Sequence, residues 1–315
     1  MLSLLCLMSV ILNRDYLMFK KILFVIFVVS FSSLCHGKSI ESLEESINAL
    51  LETKDATIGV AILAGDSGES ISINGDTHLP MQSVFKYHLA LAVLDQVDQG
   101  NLSLSDEFKI TLQDLNNELW SPIRKNYPDG ANLTLAEILK FTIAYSDNVG
   151  CDVLIRMLGG PSVVEKYLHS NGITDIAIEY NEVDMQAVWE RQYENWTTAN
   201  EAVLALKKYY ENKAELLSEE SHQFLWDTMK ATGTGKDMIK GNLPEGTIVA
   251  HKTGSSGIND AGLIAARNNI GVVFLPDGNY FYLSVFVSDS TESHTENKKI
   301  IADIAKLTWN YFTNI

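Results

Sequence analysis

Apolar and polar positions alternate with two different periods along the chain, and the change of period divides it into segments. Strand-like patterns at 56–65 and 69–75, joined by a glycine-bounded turn, follow a helical pattern at 41–52. From Pro80 onward the pattern is helical for a long stretch. Strand patterns return late and precede a final predicted helix at 294–312.

This order of elements predicts an α+β fold. Seven central helices are expected at 83–98, 111–117, 134–144, 147–158, 161–171, 199–212 and 218–230. Four late strands are expected at 246–253, 261–267, 270–276 and 280–289. Because strands lie near both ends, we predict an antiparallel sheet flanked by the terminal helices plus an inserted all-α lobe. We place the sheet lobe at about 38–79 and 231–315, and the helical lobe at about 80–230.

One predicted helix carries an unusual polar pair. The stretch Pro80–Val97 is typical of an amphipathic helix with a buried apolar face, yet Ser83 and Lys86 stand in its first turn. Residues three apart project from the same helix face, so the hydroxyl and the ammonium lie side by side. A capping serine and a solvated lysine are the ordinary explanation, and the pair alone does not establish chemistry.

Three later stretches strengthen the case for chemistry. Residues 146–148 read Ser-Asp-Asn between two predicted helices, and residues 252–255 read Lys-Thr-Gly-Ser at the end of a predicted strand. An acidic, irregular segment at 179–198 lies between them. Each stretch has an ordinary explanation, as a helix cap, a turn or a solvated loop. Their occurrence together, in this order after Ser83, is hard to attribute to chance.

Composition narrows the function classes. With 315 residues, 46% of them apolar and 20% charged, the chain has the make-up of an ordinary globular protein with a large core. Its net charge of −16 argues against binding to nucleic acid.

The N-terminus has the organisation of a secretory signal peptide. Two lysines follow Met18, an apolar run covers 22–29, and small and polar residues follow. We expect translation to start at Met18 and cleavage to follow Gly37, so that residues 1–37 are absent from the mature protein. The apolar run is too short to favour a membrane anchor, which predicts a periplasmic or secreted protein.

The cysteines are few. Cys6 and Cys35 lie in the segment predicted to be removed, so the mature protein retains Cys151 and forms no internal disulfide. Cys151 lies in an apolar helical stretch, which predicts a buried, inert thiol.

The motifs together resemble a known family. Ser83-x-x-Lys86, then the Ser-Asp-Asn of 146–148 and the Lys-Thr-Gly of 252–254, resemble the motif set of class A β-lactamases and penicillin-binding proteins. The resemblance covers essentially the whole mature chain. The stretches QSVFK, NWTT and FLPDG most resemble a cephalosporinase-like branch that includes extended-spectrum enzymes.

The resemblance implies a role for each motif residue. Ser83 would be the nucleophile, and Lys86 would remove its proton if repulsion from Lys252 destabilises the ammonium. Ser146 would pass a proton to the leaving β-lactam nitrogen. Asn148 would bind the substrate's side-chain amide and help hold Lys86.

Further residues would bind the substrate. By resemblance, the backbone N–H groups of Ser83 and Ser255 stabilise the oxyanion. Lys252, Thr253 and Ser255 would receive the substrate carboxylate. Trp120 matches an aromatic residue that walls the entrance, with an ordinary surface or core aromatic as the alternative.

A base for deacylation separates a β-lactamase from a penicillin-binding protein. The stretch EVDMQ matches the loop motif of this branch and points to Glu182, with Glu179 as the rival. Gln186 stands where many relatives have an Asn that holds the hydrolytic water, and a Gln amide offers the same donor and acceptor with longer reach.

The sequence departs from the family at the arginine found near the substrate carboxylate in many members. The position that aligns with it after the Lys-Thr-Gly motif is Ala261, and the alternative on the preceding segment lies near Met238. Lys236, Lys240 and Arg267 remain as candidates to replace it.

We therefore predict a monomeric serine β-lactamase that hydrolyses penicillins or cephalosporins through an acyl-enzyme. Its partner would be the β-lactam, with no nucleic acid and no membrane anchor after cleavage. We expect no metal or other cofactor, because the seven histidines are scattered along the chain. The alternatives are a penicillin-binding D,D-carboxypeptidase and a non-hydrolysing β-lactam sensor, and the glutamate at 182 argues against both.

Overall fold

A computed structural model describes residues 39–314. The described residues from Leu43 onward form one compact unit. The predicted signal peptide, its start at Met18 and its two cysteines lie outside the described residues. Within the described part, no helix is both long and apolar enough to cross a membrane.

Helices and strands follow closely the order that the sequence predicts. The helices of the described residues are α1 Ile40–Leu51, α2 Phe85–Asp98, α3 Leu112–Leu115, α4 Pro122–Asn126, α5 Leu135–Ala144, α6 Asn148–Leu158, α7 Pro161–Ser170, α8 Glu182–Ala187, α9 Ala199–Glu211, α10 Glu219–Lys230 and α11 His294–Phe312. The strands are β1 Thr57–Ala64, β2 Ser70–Ile73, β3 Leu79–Pro80, β4 Glu107–Ile110, β5 Ala131–Thr134, β6 Ile176–Ala177, β7 Trp196–Thr197, β8 Val249–Ser255, β9 Ile264–Phe274 and β10 Tyr280–Ser290.

Five strands form the main sheet, in the order β2-β1-β10-β9-β8, with every neighbouring pair antiparallel. The strands near the N-terminus therefore pair with the last strand of the chain. Helix α11 packs on β9 and β10, and α9 packs on β1, β9 and β10. The predicted α+β fold with an antiparallel sheet is confirmed.

The prediction of separate strands at 261–267 and 270–276 is wrong, because β9 runs unbroken from Ile264 to Phe274. Asn268 and Asn269 interrupt the apolar pattern, and both are fully buried. A buried amide needs hydrogen-bond partners. The Nδ2 of Asn268 donates to two backbone carbonyls before α2, and Asn269 Oδ1 lies 3.2 Å from Nδ1 of His251, while the other polar atom of each amide has no partner among the described residues.

Helix α2 is more central than an amphipathic pattern predicts. Every residue from Phe85 to Leu94 is buried, including Lys86 and His88. A helix that is buried on all sides needs apolar neighbours all round. Helices α5, α6, α7 and α10 supply contacts with it.

The segment between Pro80 and Lys230 is mainly helical, but short strands also lie in it. Strands β4 and β5 form a two-stranded ribbon, and β3, β7 and β6 form a small sheet. Part of the irregular segment predicted at 179–198 is helical, since α8 and a 3₁₀ turn at Trp189–Tyr193 lie within it. The boundaries of the two lobes stay a prediction.

The buried His88 makes fold stability depend on pH. Neither ring nitrogen has a hydrogen-bond partner among the described residues, and the ring packs edge-on against Tyr87 at 5.1 Å. Burial lowers the pKa of His88 to about 3. The unfolded chain therefore binds one more proton than the folded chain between about pH 3 and the ordinary histidine pKa near 6.5, and stability rises with pH across that window.

We expect His88→Phe to remove about 1.4 kcal/mol per pH unit from the slope of unfolding free energy between pH 4 and 6. Urea unfolding at several pH values measures it. The exposed His78 stacks on Trp196 at 3.5 Å, so His78→Phe is the matched control and should leave the slope unchanged. Equal slopes in His88→Phe and the unaltered protein would contradict this assignment.

Candidate functional site

The candidate nucleophile lies on a tight turn. Ser83 is the central residue of a 3₁₀ turn, Gln82–Val84, that runs directly into α2. Gln82 has a φ of +47°, in the left-handed region that side chains rarely adopt. The chain before the turn is fixed by Asn268, whose Nδ2 donates to the carbonyl oxygens of Pro80 at 2.7 Å and Met81 at 3.1 Å.

Strand β8 lies against this turn at a glycine. A Cβ atom added to Gly254 would lie 2.3 Å from the carbonyl oxygen of Met81, closer than real side chains approach. The glycine of the Lys-Thr-Gly motif is therefore a packing requirement. It lets Thr253 and Ser255 reach the neighbourhood of Ser83.

A buried ion pair lies beneath the serine. Lys86 Nζ is 2.9 Å from Glu182 Oε1, and both side chains are fully buried. The ammonium also donates to the backbone oxygen of Ser146 at 3.0 Å and to the side-chain oxygen of Asn148. All three partners accept hydrogen bonds, so the buried charge is fully paired.

A second buried lysine approaches the same group of residues. Lys252 Nζ donates to Ser146 Oγ at 2.9 Å and to the backbone oxygen of Thr253 at 3.0 Å. Burial, and then the charge of Lys86, lower the pKa of Lys252 well below its usual range, while Glu182 opposes the shift. The repulsion between the two lysines that the sequence leads us to expect therefore lowers the pKa of Lys252.

Ser146 joins the two lysines. Its carbonyl accepts from Lys86 and its hydroxyl accepts from Lys252. It adopts a φ of +58°, which turns both oxygens toward the ammonium groups at the cost of some backbone strain. The hydroxyl is thereby placed beside a cation that can supply a proton.

One carboxylate oxygen touches both reactive side chains. Ser83 Oγ donates to Glu182 Oε1 at 3.3 Å, the same oxygen that contacts Lys86. On the other oxygen, Gln186 Nε2 donates to Glu182 Oε2 at 3.3 Å. Glu179, the rival base, is exposed, and its backbone N–H is held by Asn195 at 2.8 Å. The geometry brings Glu182 to the serine and leaves Glu179 at the surface.

Sequence reasoning missed the residue that holds Glu182. Asp152 of α6 accepts the backbone N–H of Glu182 at 2.7 Å and that of Val183 at 3.1 Å. Burial, followed by repulsion from Glu182, raises the pKa of Asp152 to about 7. An acidic residue in the apolar run of α6 was the signal in the sequence, because a carboxyl there needs a partner.

Asp147 has a structural role in the Ser-Asp-Asn motif. It caps α6 by accepting the N–H of Gly150 at 2.8 Å. Its other oxygen accepts from Ser121 Oγ at 2.8 Å and from the N–H of Ile123 at 2.6 Å. The Ser-Asp-Asn motif thus includes the helix cap that was its ordinary explanation. The same Asp147 side chain also holds the segment that follows Trp120.

The motif residues surround one cavity of about 300 Å³, here called the cleft. It is lined by Ser83, Trp120, Ser146, Asn148, Gln186, Thr234, Gly235, Asp237, Met238, Thr253, Ser255, Arg267 and Lys298. Seven of the ten predicted site residues thus line the cleft. Lys86, Glu182 and Lys252 lie buried behind it.

The cleft has cations at one end. Of the three cations considered from sequence, Arg267 lines the cleft, whereas Lys236 and Lys240 do not. Lys298 also lines it and was missed, because it lies on α11, far from every motif in the sequence. Ala261 is exposed outside the cleft, and Met238 supplies an apolar wall.

No group of three or more His, Cys, Asp or Glu side chains is arranged to hold a metal ion within residues 39–314. Cys151 is a free, buried cysteine, and burial raises the pKa of its thiol well above its usual range. Its contribution is therefore that of a small apolar side chain.

The sequence profile of the β-lactamase enzyme family matches residues 42–312, nearly the entire described chain. The chain belongs to the β-lactamase enzyme family. Among its relatives, β-lactamase VEB-1 of Pseudomonas aeruginosa is 46% identical over 94% of this chain and 98% of its own.

Solved structures agree with this assignment. The TLA-1 extended-spectrum β-lactamase has a TM-score of 0.85 at 45% identity, over 87% of this chain and 99% of its own. A representative class A β-lactamase from Bacteroides cellulosilyticus has a TM-score of 0.82 at 38% identity, over 87% and 98%. The resemblance to class A β-lactamases and their extended-spectrum branch is confirmed.

The hold of Asp152 on α8 of this β-lactamase gives a testable prediction. We expect Asp152→Ala to speed amide exchange at 182 and 183 about tenfold or more, because the hydrogen bonds of both amides to the Asp152 carboxyl are lost. Hydrogen–deuterium exchange with mass spectrometry measures the change. Asp184→Ala, an exposed carboxylate of the same helix, is the matched control. Equal exchange in the two variants would show that Asp152 does not hold the helix.

Proposed function

We propose that the protein hydrolyses the β-lactam amide of penicillins and cephalosporins, extended-spectrum cephalosporins included, through an acyl-enzyme on Ser83, and so confers antibiotic resistance. One observation carries this proposal. A single oxygen of Glu182 lies 3.3 Å from Ser83 Oγ and 2.9 Å from Lys86 Nζ. Nucleophile and proton acceptor are thus already in contact.

Acylation begins at this contact. Ser83 Oγ attacks the β-lactam carbonyl as its proton passes to the Glu182–Lys86 pair. The backbone N–H groups of Ser83 and Ser255 donate hydrogen bonds to the oxyanion. In sites of this kind, one such donor lowers the activation free energy by about 3 kcal/mol. Opening of the ring leaves a nitrogen that needs a proton. Ser146 supplies it, because its hydroxyl is bonded to Lys252, whose lowered pKa favours loss of a proton.

Deacylation assigns a second task to Glu182. Water must attack the ester from a position next to a carboxylate, and Glu182 Oε2 is bonded to the Gln186 amide at 3.3 Å. Carboxylate and amide together can orient such a water. Gln186 therefore takes the place of the asparagine found in many relatives.

The remaining cleft residues bind the substrate. Asn148, Thr253 and Ser255 all line the cleft, which supports a role for Asn148 with the side-chain amide and for the other two with the carboxylate. Trp120 donates its ring N–H to the carbonyl of Tyr145 at 3.0 Å and leaves 64% of its surface exposed at the rim. That position suits an aromatic wall at the entrance.

The alternatives lack support from the site. A penicillin-binding carboxypeptidase or a sensor needs no carboxylate against the acylated serine, whereas Glu182 contacts Ser83 directly. We further propose that residues 1–37 are a signal peptide and that the mature enzyme is a periplasmic or secreted monomer. The lysine-flanked apolar run after Met18 supports this localisation.

Ser83→Ala should abolish covalent labelling by a penicillin, since no other side chain is proposed as the nucleophile. Intact-mass spectrometry of protein mixed with excess drug measures the adduct. Ser255→Ala, which keeps the backbone N–H, is the control and should still be labelled. A stoichiometric adduct on Ser83→Ala would refute the assignment.

Glu182→Ala should accumulate the acyl-enzyme. Lys86 remains beside Ser83, so attack survives at least in part, whereas water loses its base. We expect turnover of a chromogenic cephalosporin to fall by roughly two to four orders of magnitude, with a stoichiometric burst. Stopped-flow absorbance and mass spectrometry measure the burst and the adduct.

The matched control is Glu179→Ala, which removes an exposed carboxylate from the same segment and should turn over normally. A trapped adduct in Glu179→Ala, together with normal turnover in Glu182→Ala, would show that Glu179 and not Glu182 is the base for deacylation. If the unaltered protein stayed acylated for hours, the proposal of hydrolysis would be wrong and a penicillin-binding function would take its place.

A further inference from the structure

Three glutamine side chains join the residue before the nucleophile to the segment that carries Glu182. Gln82 precedes Ser83, Gln186 lies on α8, and Gln192 lies in the 3₁₀ turn that follows α8. Gln82 Nε2 donates to Gln192 Oε1 at 2.7 Å, and Gln186 Nε2 donates to Gln82 Oε1 at 3.4 Å. The three residues, here called the glutamine network, therefore have Gln82 at their centre.

A backbone carbonyl fixes the direction of the network at its inner end. Gln192 Nε2 donates to the carbonyl oxygen of Trp189 at 2.7 Å, and a carbonyl oxygen can only accept. The amide nitrogen of Gln192 therefore faces Trp189, and its Oε1 is left to accept from Gln82. Gln82 must meet that oxygen with Nε2, which turns its own Oε1 toward Gln186. Gln82 and Gln192 are both buried, so water does not compete for these hydrogen bonds.

The direction of the network then decides how the Gln186 amide is used. Its Nε2 has two acceptors, Gln82 Oε1 at 3.4 Å and Glu182 Oε2 at 3.3 Å. An amide nitrogen carries two hydrogens, so both are engaged. No donor within residues 39–314 bonds to Gln186 Oε1, and Gln186 lines the cleft. The oxygen is therefore the atom of this amide that a water molecule in the cleft can use.

We propose that Gln82 is a positioning residue for deacylation, which holds the Gln186 amide with its oxygen toward the hydrolytic water. This inference rests on the proposed hydrolysis of β-lactams through an acyl-enzyme. Gln82 acts through Gln186 and takes no part in the chemical step itself. Gln192 supports Gln82 by accepting its N–H.

The direction of the Gln186 amide matters because water attacks with a lone pair. A water whose two O–H groups donate to Glu182 and to Gln186 Oε1 keeps a lone pair for the ester carbon. With the amide reversed, Nε2 would donate to that lone pair and oppose attack. As the water oxygen bonds to the ester carbon, Glu182 takes one proton. The bond from that carbon to Ser83 Oγ then breaks, and the proton passes from Glu182 to Oγ.

The backbone at Gln82 supports this role. Its φ of +47° lies in the left-handed region, which is disfavoured for a residue with a Cβ atom. Such strain persists where surrounding contacts fix it, and it is found most often at functional sites. The strained residue is here the one whose side chain links the nucleophile's turn to α8.

The first test separates the two half-reactions. Gln82→Met keeps the length of the side chain but removes both of its hydrogen bonds. We expect deacylation to slow about 3- to 10-fold, as for one lost hydrogen bond, while acylation stays within about twofold. Stopped-flow absorbance with a chromogenic cephalosporin measures acylation. Intact-mass spectrometry after removal of excess drug measures decay of the adduct.

The second test perturbs the network away from the nucleophile. Gln192→Met removes the acceptor of Gln82 without altering the turn at Ser83, so it should also slow deacylation selectively. Gln223→Met, a change of an exposed glutamine on α10, is the matched control and should leave both rates unchanged. In a Gln186→Ala background, Gln82→Met should have little further effect, because the amide that it positions is gone.

The outcomes separate this inference from the proposed function. If the unaltered enzyme formed no adduct or never released it, the proposed function would fail. If it released the adduct, and Gln192→Met released it equally fast, the glutamine network would not position the water, whether or not Gln82→Met folds. Acylation and deacylation slowed equally in Gln82→Met would show a structural role only. An equal effect of Gln82→Met with and without the Gln186 amide would also overturn the inference.

Discussion

The buried ion pair between Lys86 and Glu182 is the interaction on which the rest of the site depends. Both side chains are fully excluded from solvent, and burying two charges costs free energy that only close partners offset. The pair meets this condition with the oxygens of Ser146 and Asn148 on the lysine and Ser83 and Gln186 on the glutamate. The groups that would carry out acyl transfer are thus the ones that make burial of the pair tolerable.

The fold positions the pair through polar contacts between distant elements. Asn268 in the middle of β9 holds the backbone before Ser83, and Gly254 lets β8 lie against the same turn. From the other side, Asp152 holds the first amides of α8 and so presents the Glu182 side chain. Strand, turn and short helix come from separate parts of the sequence, which explains why the site needs almost the whole chain.

The sequence predicts this arrangement well where chemistry depends on local spacing, and poorly where it depends on distant partners. The spacing of Ser83 and Lys86 is a property of one helical turn, and residue motifs identify the family. The burial of α2 on all sides over residues 85–94 and the unbroken β9 were missed, because Lys86, His88 and Asn268 look like exposed polar residues until their buried surroundings are known. The role of Asp152 follows from contacts across the fold, which no local pattern contains.

A double-mutant cycle on the buried pair tests the account most directly. Lys86→Met, Glu182→Gln and the double variant are unfolded in urea, and their free energies of unfolding are compared. Removing Glu182 alone leaves Lys86 and Lys252 as two buried cations without a carboxylate, and Lys86→Met relieves that repulsion. The account predicts that the double variant is more stable than the sum of the single effects implies, by about 1–3 kcal/mol. Effects that add to within about 0.5 kcal/mol would contradict it.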